Sequence, residues 1–218
     1  MPIEDNTIDR WGGRKRRYDG FPGRRLGIVD PISSLPVAFR TTLVRDNWHV
    51  ARFDHDVVHL SCTVKELIFQ LGARRLVAFA DLDLSRRCGA RELHLVCRHK
   101  PPAERYRALR AVAKYLNAEV IVRTEAAIDP ASILISNLRL LRQRMQLWSG
   151  RGAELDPQVI ALLDQSPATT VREIAAACAG MHPQQVDSRL GHLHCTGRLT
   201  LQLSKVTYGQ LTTVTRGA

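Results

Sequence analysis

Long apolar runs are missing from this sequence. No stretch approaches the roughly 20 consecutive apolar residues that a helix needs to cross a bilayer. The first ten residues, M-P-I-E-D-N-T-I-D-R, are polar and acidic and lack the features of a secretory signal. We therefore expect a protein without a membrane-spanning helix, located in the cytoplasm.

Paired cysteines are missing as well. The five cysteines are scattered, odd in number and never spaced as C-x-x-C, which argues against a disulfide framework and a structural zinc knuckle. The sequence also contains no glycine-rich phosphate loop, no serine hydrolase elbow and no kinase signature. These enzyme classes are therefore excluded, and we expect most of the thiols to be reduced and buried.

Positive charge is what the chain has in excess. It carries 32 Lys+Arg against 21 Asp+Glu, a formal net charge of +11, and arginine is far commoner than lysine. Guanidinium groups bind phosphate through paired hydrogen bonds, so this excess predicts a phosphate-bearing partner. An arginine-biased, GC-rich genome would also raise the arginine content, and we expect both effects to contribute.

Residues 1–33 predict a basic flexible arm. Seven basic residues lie between Arg10 and Arg25 with aromatic residues between them, and glycine and proline prevent a helix. Such a segment can follow a nucleic-acid backbone, although a tail that only keeps the protein soluble is the alternative. The candidate DNA contacts in this arm are Arg14, Lys15, Arg16, Arg17, Arg24 and Arg25.

Residues 34–148 predict a domain that mixes helices and strands. Apolar residues recur every third or fourth position over residues 34–53, which predicts a helix with Pro36 in its first turn. Residues 65–84 predict an antiparallel hairpin whose second strand contains Asp81. The segment E-L-H-L-V-C-R-H, residues 92–99, predicts the next strand.

The same domain continues with a helix, a strand and a helix. Pro101 and Pro102 open the first helix, which extends to about Asn117, and A-E-V-I-V-R-T has the continuous apolar character of a parallel strand. The second helix follows Asp129 and Pro130. This order of elements predicts an α/β layer fold.

Residues 153–218 predict a second domain, after a linker at 149–154. Three short helical patterns are followed by two or three short strands, and Thr170 with Glu173 forms a capping box at the middle helix. Three helices and a hairpin within about 65 residues predict a winged-helix domain.

Chemistry-bearing residues converge on the strand 92–99. An aspartate on one strand and an acid-x-lysine on the next build the metal sites of many nucleases, and here Asp81 takes the first position. The strand period places Leu93, Leu95, Cys97 and His99 on one face, and Arg98 and Lys100 on the other. The acid and lysine positions therefore hold Cys97 and His99.

These segments give residues 33–147 a resemblance to a known family. They read, in order, S-S-L-P-V-A-F-R-T-T-L-V-R-D-N-W-H-V-A-R-F-D-H-D-V-V, A-D-L, L-V-C-R-H-K-P, V-I-V-R-T-E-A-A-I and S-N-L-R-L-L. They are similar to the catalytic domain of TnsA, the endonuclease subunit of heteromeric transposases, where the family's segments include S-L-L-E-R-D-F, P-D-F and L-V-E-V-K-P. The resemblance implies a restriction-endonuclease-like domain, DNA at transposon ends, a transposase partner and an AAA+ ATPase regulator.

The departures from that family fall on its catalytic residues. The helix glutamate aligns with Val44, the acid of the acid-x-lysine pair with Cys97 and the lysine with His99, which leaves Asp81 as the retained metal ligand. Magnesium prefers an octahedron of hard oxygen ligands, which one aspartate, a thiol and an imidazole do not supply.

Three interpretations follow. The favoured one is a degenerate nuclease fold that has lost cleavage and is kept for binding DNA and protein partners. The second is an active enzyme with a rebuilt site of Asp81, Asp83 and Lys100, which would use Mg²⁺ or Mn²⁺. The third treats Asp81, Cys97 and His99 as ligands of a softer metal such as zinc.

Two further segments bear on DNA binding. Arg107, Arg110 and Lys114 form a basic stripe on the helix after the site, and either a DNA contact or a solvated face explains them. The third helix of the winged-helix pattern offers only Arg189 and some amides, from Gln184 and Gln185, which is sparse for reading DNA. A protein-docking module fits better, and a winged-helix DNA-binding regulator is the rival interpretation.

Overall fold

The computed structural model describes residues 26–62, 66–71, 74–149 and 151–217. Most of the basic arm, with all six of its candidate DNA contacts, lies outside these residues. The chain divides into two compact units. Among the described residues, the first unit comprises 26–27, 38–45 and those within 58–127, and the second comprises 28–37, 46–57 and those within 128–217.

The two units differ from the predicted domains, because residues 28–33 of the predicted arm and residues 34–37, 46–57 and 128–148 of the predicted nuclease-like domain belong to the second unit. The helix that follows Asp129 was predicted in the nuclease-like domain, and it belongs to the second unit instead. Its apolar stripe forms one core with the C-terminal helices, and this packing sets the boundary.

The described residues begin with two strands, β1 (Leu26–Val29) and β2 (Pro36–Phe39), which form a two-stranded sheet. Residues 26–29, which were predicted to belong to the flexible arm, therefore form a strand instead. The connection is ordered by Asp30, whose buried carboxylate accepts hydrogen bonds from the Ile32 N–H at 2.9 Å and from Arg52 Nε at 2.7 Å.

The helix predicted over residues 34–53 is shorter than expected, since α1 spans Thr42–Arg52. The prediction was wrong for Pro36, which begins strand β2 rather than a helix. Proline fixes φ near −65° and tolerates the edge of a sheet, and the helix starts where Thr41 Oγ1 accepts a hydrogen bond from the Val44 N–H at 3.1 Å.

A mixed sheet forms the centre of the first unit, which confirms the predicted α/β class. Its strand order is β3-β6-β7-β8; β6 and β7 pair antiparallel, while β7 and β8 pair in parallel. Helix α2 (Ala103–Tyr115) connects the two parallel strands. The strands are β3 (Val57–Ser61), β6 (Leu82–Arg86), β7 (Arg91–Cys97) and β8 (Ala118–Thr124).

The predicted hairpin is present as β4 (Glu66–Leu71) and β5 (Arg74–Phe79), an antiparallel pair that forms its own sheet. The run expected to be one strand through Asp81 breaks there, because β5 ends at Phe79 and β6 begins at Leu82. The Asp81 N–H donates to the His94 carbonyl at 2.8 Å, so the chain stays attached to β7 while it passes between sheets.

Helix α2 covers one face of β7. Leu93 and Leu95 are fully buried against the inner side of the helix, where Leu109, Val112 and Ala113 recur at helical spacing. Burying side chains of this size stabilises the fold by about 1.5–3 kcal/mol each. This packing fixes the first turn of α2 near the C-terminal end of β7.

The second unit contains the predicted helical segments and short strands. Strands β10, β11 and β9 form an antiparallel sheet in that order, and Thr170 and Glu173 make the predicted capping box. Two short 3-10 turns, Asp129–Ala131 and Ala153–Leu155, connect elements. The elements are α3 (Glu125–Ile128, at the boundary of the units), α4 (Ser132–Leu147), α5 (Asp156–Gln165), β9 (Ala168–Thr170), α6 (Val171–Ala177), α7 (Pro183–Cys195), β10 (Leu199–Leu201) and β11 (Thr213–Arg216).

Helix α4 packs directly on α7. A Cβ atom at Gly191 would lie 3.0 Å from Met145 Sδ, so the glycine permits this close approach. The predicted linker at 149–154 is also packed against α7, because a Cβ at Gly152, whose φ is +80°, would lie 2.8 Å from Gln185 Nε2. The residues described in that segment are therefore part of the second unit.

Asn137 of α4 anchors the loop between β10 and β11. Its buried amide nitrogen donates to the carbonyls of Leu203 at 2.7 Å and Val206 at 2.8 Å, and its oxygen accepts from the Tyr208 N–H at 2.8 Å. The Tyr208 hydroxyl donates to Asp187 of α7 at 2.7 Å. One side chain thus satisfies three backbone groups of an otherwise irregular loop.

Across the parts of the chain that the structure describes, no helix has the length and apolar character needed to cross a membrane.

Candidate functional site

Asp81 lies at the break between β5 and β6, beside the end of β7. Only 5% of the residue is exposed, and its Oδ2 accepts a hydrogen bond from the Val96 N–H at 2.8 Å. Because β6 and β7 are antiparallel, the start of β6 lies next to the C-terminal end of β7. The structure therefore brings Asp81 near Cys97, as the sequence predicted.

Two arginines bind the Asp81 carboxylate. Arg40, between β2 and α1, forms an ion pair through Nη2 with Oδ1, and Arg105, in the first turn of α2, places Nη2 at 3.3 Å from Oδ2. The arginine side chains are 23% and 24% exposed, whereas the aspartate side chain is 3% exposed. Both carboxylate oxygens are therefore held by cationic donors.

Two thiols complete the surroundings of Asp81. Burial raises the pKa of Cys62 to about 12, with Asp81 adding to the rise and Arg40 opposing it. Burial also raises the pKa of Cys97, where Arg105 opposes the shift and Asp81 adds to it. Both groups are therefore neutral thiols near pH 7. We call Arg40, Cys62, Asp81, Cys97 and Arg105 the Asp81 cluster.

The charges of the Asp81 cluster are opposite in sign to those of a magnesium site. Two guanidiniums and one carboxylate sum to about +1 at neutral pH, because arginine stays protonated in proteins and the thiols carry no charge. A hard dication needs several anionic oxygens, and the single carboxylate here already serves two cations. The donor set therefore does not fit Mg²⁺ or Mn²⁺.

The ligand groups of the other two interpretations, the zinc site and the rebuilt magnesium site, do not come together in the structure either. Among the described residues, no three histidine, cysteine or acidic side chains converge in a way that could hold a metal ion, which argues against zinc at Asp81, Cys97 and His99. Asp83 of the rebuilt-site interpretation instead accepts two hydrogen bonds from Arg91, at 3.0 and 2.6 Å.

The remaining predicted catalytic positions lack the expected geometry. Val44 is a 2% exposed core residue of α1. Strand β7 ends at Cys97, so the alternation of faces predicted to continue through His99 and Lys100 stops there, and both residues are exposed in the bend before α2. The His99 carbonyl accepts a hydrogen bond from the Cys97 thiol at 2.8 Å.

Sequence reasoning missed Arg40 and Arg105. Both lie at the start of a helix, and a long side chain in the first turn of α2 extends back toward the strand end that precedes it. The signal was an arginine three residues after Pro102, where the helix was predicted to start. For Arg40 there was no signal, because its helix was predicted to begin eight residues too early.

A second buried polar group lies on the opposite face of β7. His94 Nε2 is 2.9 Å from Glu92 Oε2, and Arg86 Nε pairs with the other carboxylate oxygen. Burial lowers the pKa of His94, and the nearby Arg123 and Arg86 lower it further, although Glu92 opposes them. His94 is thus a neutral, hydrogen-bonded core residue.

The predicted basic stripe is present on the exposed side of α2. Arg107, Arg110 and Lys114 are all exposed, and the Arg110 guanidinium lies 5.8 Å from the centre of the Tyr106 ring. Their contact with DNA stays a prediction.

Helix α7 offers little surface for reading DNA. Gln184 and Gln185 are half-buried and Ser188 is buried, because α4 packs along this helix. Arg189 is also buried and donates to both carboxylate oxygens of Asp156, at 2.9 and 2.6 Å. This arrangement does not favour the rival interpretation of a winged-helix DNA-binding regulator.

Comparison with known proteins adds no identification, since no protein-family model matches the chain and no curated protein matches it.

Proposed function

We propose that this protein is a TnsA-like subunit of a transposition complex that binds double-stranded DNA at transposon ends and does not cut it. It docks in the cytoplasm to a transposase and an AAA+ ATPase regulator. The first unit serves as a restriction-endonuclease-like domain without metal chemistry, and residues of the second unit serve as a winged-helix docking module.

The order of elements supports this assignment. An aspartate at the start of β6, an antiparallel neighbour β7 and a helical crossover to the parallel strand β8 form the layout that the resemblance implies. In the second unit, the order α5-β9-α6-α7-β10-β11 with one antiparallel sheet supports the proposed winged helix, because three helices and a short sheet are the elements that this motif requires.

The charge of the Asp81 cluster carries the proposal of lost cleavage. Hydrolysis by this class of enzyme needs a dication that polarises the phosphate and generates hydroxide. Arg40 and Arg105 place two positive charges on the Asp81 carboxylate, so a dication at the same carboxylate would be repelled by both guanidiniums. The net charge of +11 supports DNA as the partner.

A cleavage assay tests this proposal. The full chain is incubated with end-labelled duplex carrying the element's end and with supercoiled plasmid, in Mg²⁺ or Mn²⁺, with and without the neighbouring transposase and ATPase. We expect DNA binding that weakens as salt rises, because phosphate contacts release counterions, and no strand cleavage.

The matched variant is Asp81→Asn. Cleavage by the wild-type chain that disappears in Asp81→Asn would contradict the proposal, whereas cleavage equal in both proteins would identify a contaminating nuclease. The transposase alone serves as the control for cuts that the partner makes.

A further inference from the structure

We propose that Arg40 and Arg105 bind a backbone phosphate of DNA, so that a cluster unsuited to a dication holds an anion instead. The chemical class of the ligand is a phosphate oxyanion. The identification of DNA as its source rests on the proposed function, whereas the anion site itself rests on the geometry of the cluster.

Each of the two guanidiniums has N–H donors that Asp81 does not occupy. A guanidinium carries five N–H donors, and the bonds to Asp81 use only the Nη2 group of each arginine. Both Nε atoms are buried and lack a hydrogen-bond partner within the described part of the chain, so the N–H groups left for a ligand are those of the terminal nitrogens. About a quarter of each arginine side chain is exposed, so neither side chain is closed off from solvent.

Asp81 holds these donors in place before any ligand arrives. One buried carboxylate bonded to the Val96 N–H fixes both guanidiniums at one point, which reduces the entropy lost when an anion binds. The cluster keeps a net charge of about +1 because the pKa values of Cys62 and Cys97 are raised and the thiols stay neutral.

Helix α2 strengthens the preference for an anion. It is 13 residues long, Arg105 lies in its first turn, and Pro102 at its N-cap makes no side-chain hydrogen bond to the first N–H groups. The positive end of the helix dipole therefore lies at the cluster without a side-chain cap, and the one acidic side chain of that turn, Glu104, is exposed.

We expect two kinds of substitution in the Asp81 cluster to change the affinity for DNA in opposite directions. Arg40→Gln and Arg105→Gln each remove a phosphate donor, and we expect a dissociation constant about tenfold higher and a slope of log K against log salt smaller by about 0.9. Asp81→Asn removes the negative charge that opposes an anion but keeps an amide oxygen as an acceptor for the arginines, and we expect DNA binding that is several-fold tighter. If the cluster had only a structural role, all three substitutions would weaken DNA binding.

The measurement is fluorescence anisotropy of a labelled duplex with the full chain at several salt concentrations. Arg172→Gln is the control, because it removes one exposed charge of the second unit, and we expect less than a twofold change. Thermal melting checks that each variant folds. Should a glutamine variant unfold, Arg40→Lys and Arg105→Lys keep the counter-charge for Asp81, and we expect intermediate affinity.

Inorganic phosphate distinguishes the two sources of the anion. Phosphate buffer and chloride buffer are compared at the same ionic strength. We expect phosphate to displace DNA from the wild-type chain more than chloride does, and we expect this difference to disappear in Arg40→Gln. A phosphate-induced rise in Tm that depends on Arg40, combined with unchanged DNA affinity in the variants, would show a free-phosphate site and overturn the DNA assignment.

The outcomes separate this inference from the proposed function. A wild-type chain that does not bind DNA contradicts the proposed function. A wild-type chain that binds DNA, with Arg40→Gln and Arg105→Gln unchanged and Asp81→Asn not tighter, contradicts only the phosphate site.

Discussion

Asp81→Ala is expected to lower the free energy of unfolding by about 3 kcal/mol. Removing one partner of a buried ion pair costs about 3–5 kcal/mol, and the partial exposure of Arg40 and Arg105 places the effect at the lower end of that range. The substitution leaves two guanidiniums facing each other without a counter-ion, and it leaves the Val96 N–H without its acceptor. Urea unfolding monitored by circular dichroism measures the change.

The sign of this effect distinguishes the two interpretations of Asp81. In a metal site without its metal, acidic ligands repel one another, so removing one is neutral or stabilising. Asp83→Ala is the matched control, because the Asp83–Arg91 pair is more exposed and screened by solvent, and we expect a loss of no more than about 1 kcal/mol. Equal stability of Asp81→Ala and wild type would contradict the role of Asp81 as a counter-ion.

Asn137→Ala is expected to destabilise the second unit by about 3 kcal/mol. Each of the three hydrogen bonds that this side chain makes with Leu203, Val206 and Tyr208 contributes about 1 kcal/mol, and the substitution leaves the backbone groups of the two buried residues, Leu203 and Tyr208, unpaired. Urea unfolding gives the loss of stability, and hydrogen exchange at residues 203–208 should show faster exchange of that loop.

Gln143→Ala on the same helix is the control for the loss of an exposed amide. Gln143 is exposed, so we expect a change within about 0.5 kcal/mol. Protection of the loop amides that is the same in Asn137→Ala and wild type would show that other contacts hold the loop.

The regular elements were predictable because their side-chain patterns are local. Helix α2 has Leu109, Val112 and Ala113 at helical spacing behind two prolines, and the short helices of the second unit carry caps such as Thr170 with Glu173. Strand β7 alternates between a face against α2 and the face of Glu92 and His94. Periods and caps of this kind are visible in a single sequence.

The charge of the site was not predictable from the sequence because it depends on residues far apart in the chain. Arg40 is 41 positions and Arg105 is 24 positions from Asp81, and neither belongs to a motif. The strand break beside Asp81 was missed because Ala80 and Asp81 continue an apolar and polar alternation. The packing of α4 with α7 was missed because the apolar stripe of α4 is compatible with the core of either domain, and nothing in the sequence decides between the two.

Titration of the chelator-treated full chain with MnCl₂ tests the central claim most directly. Isothermal calorimetry at pH 7.5, in moderate salt and without DNA, compares the wild-type chain with Asp81→Asn. A cluster with a net positive charge predicts no one-to-one binding of Mn²⁺ in either protein. One-to-one binding in the wild-type chain that Asp81→Asn abolishes would contradict the account.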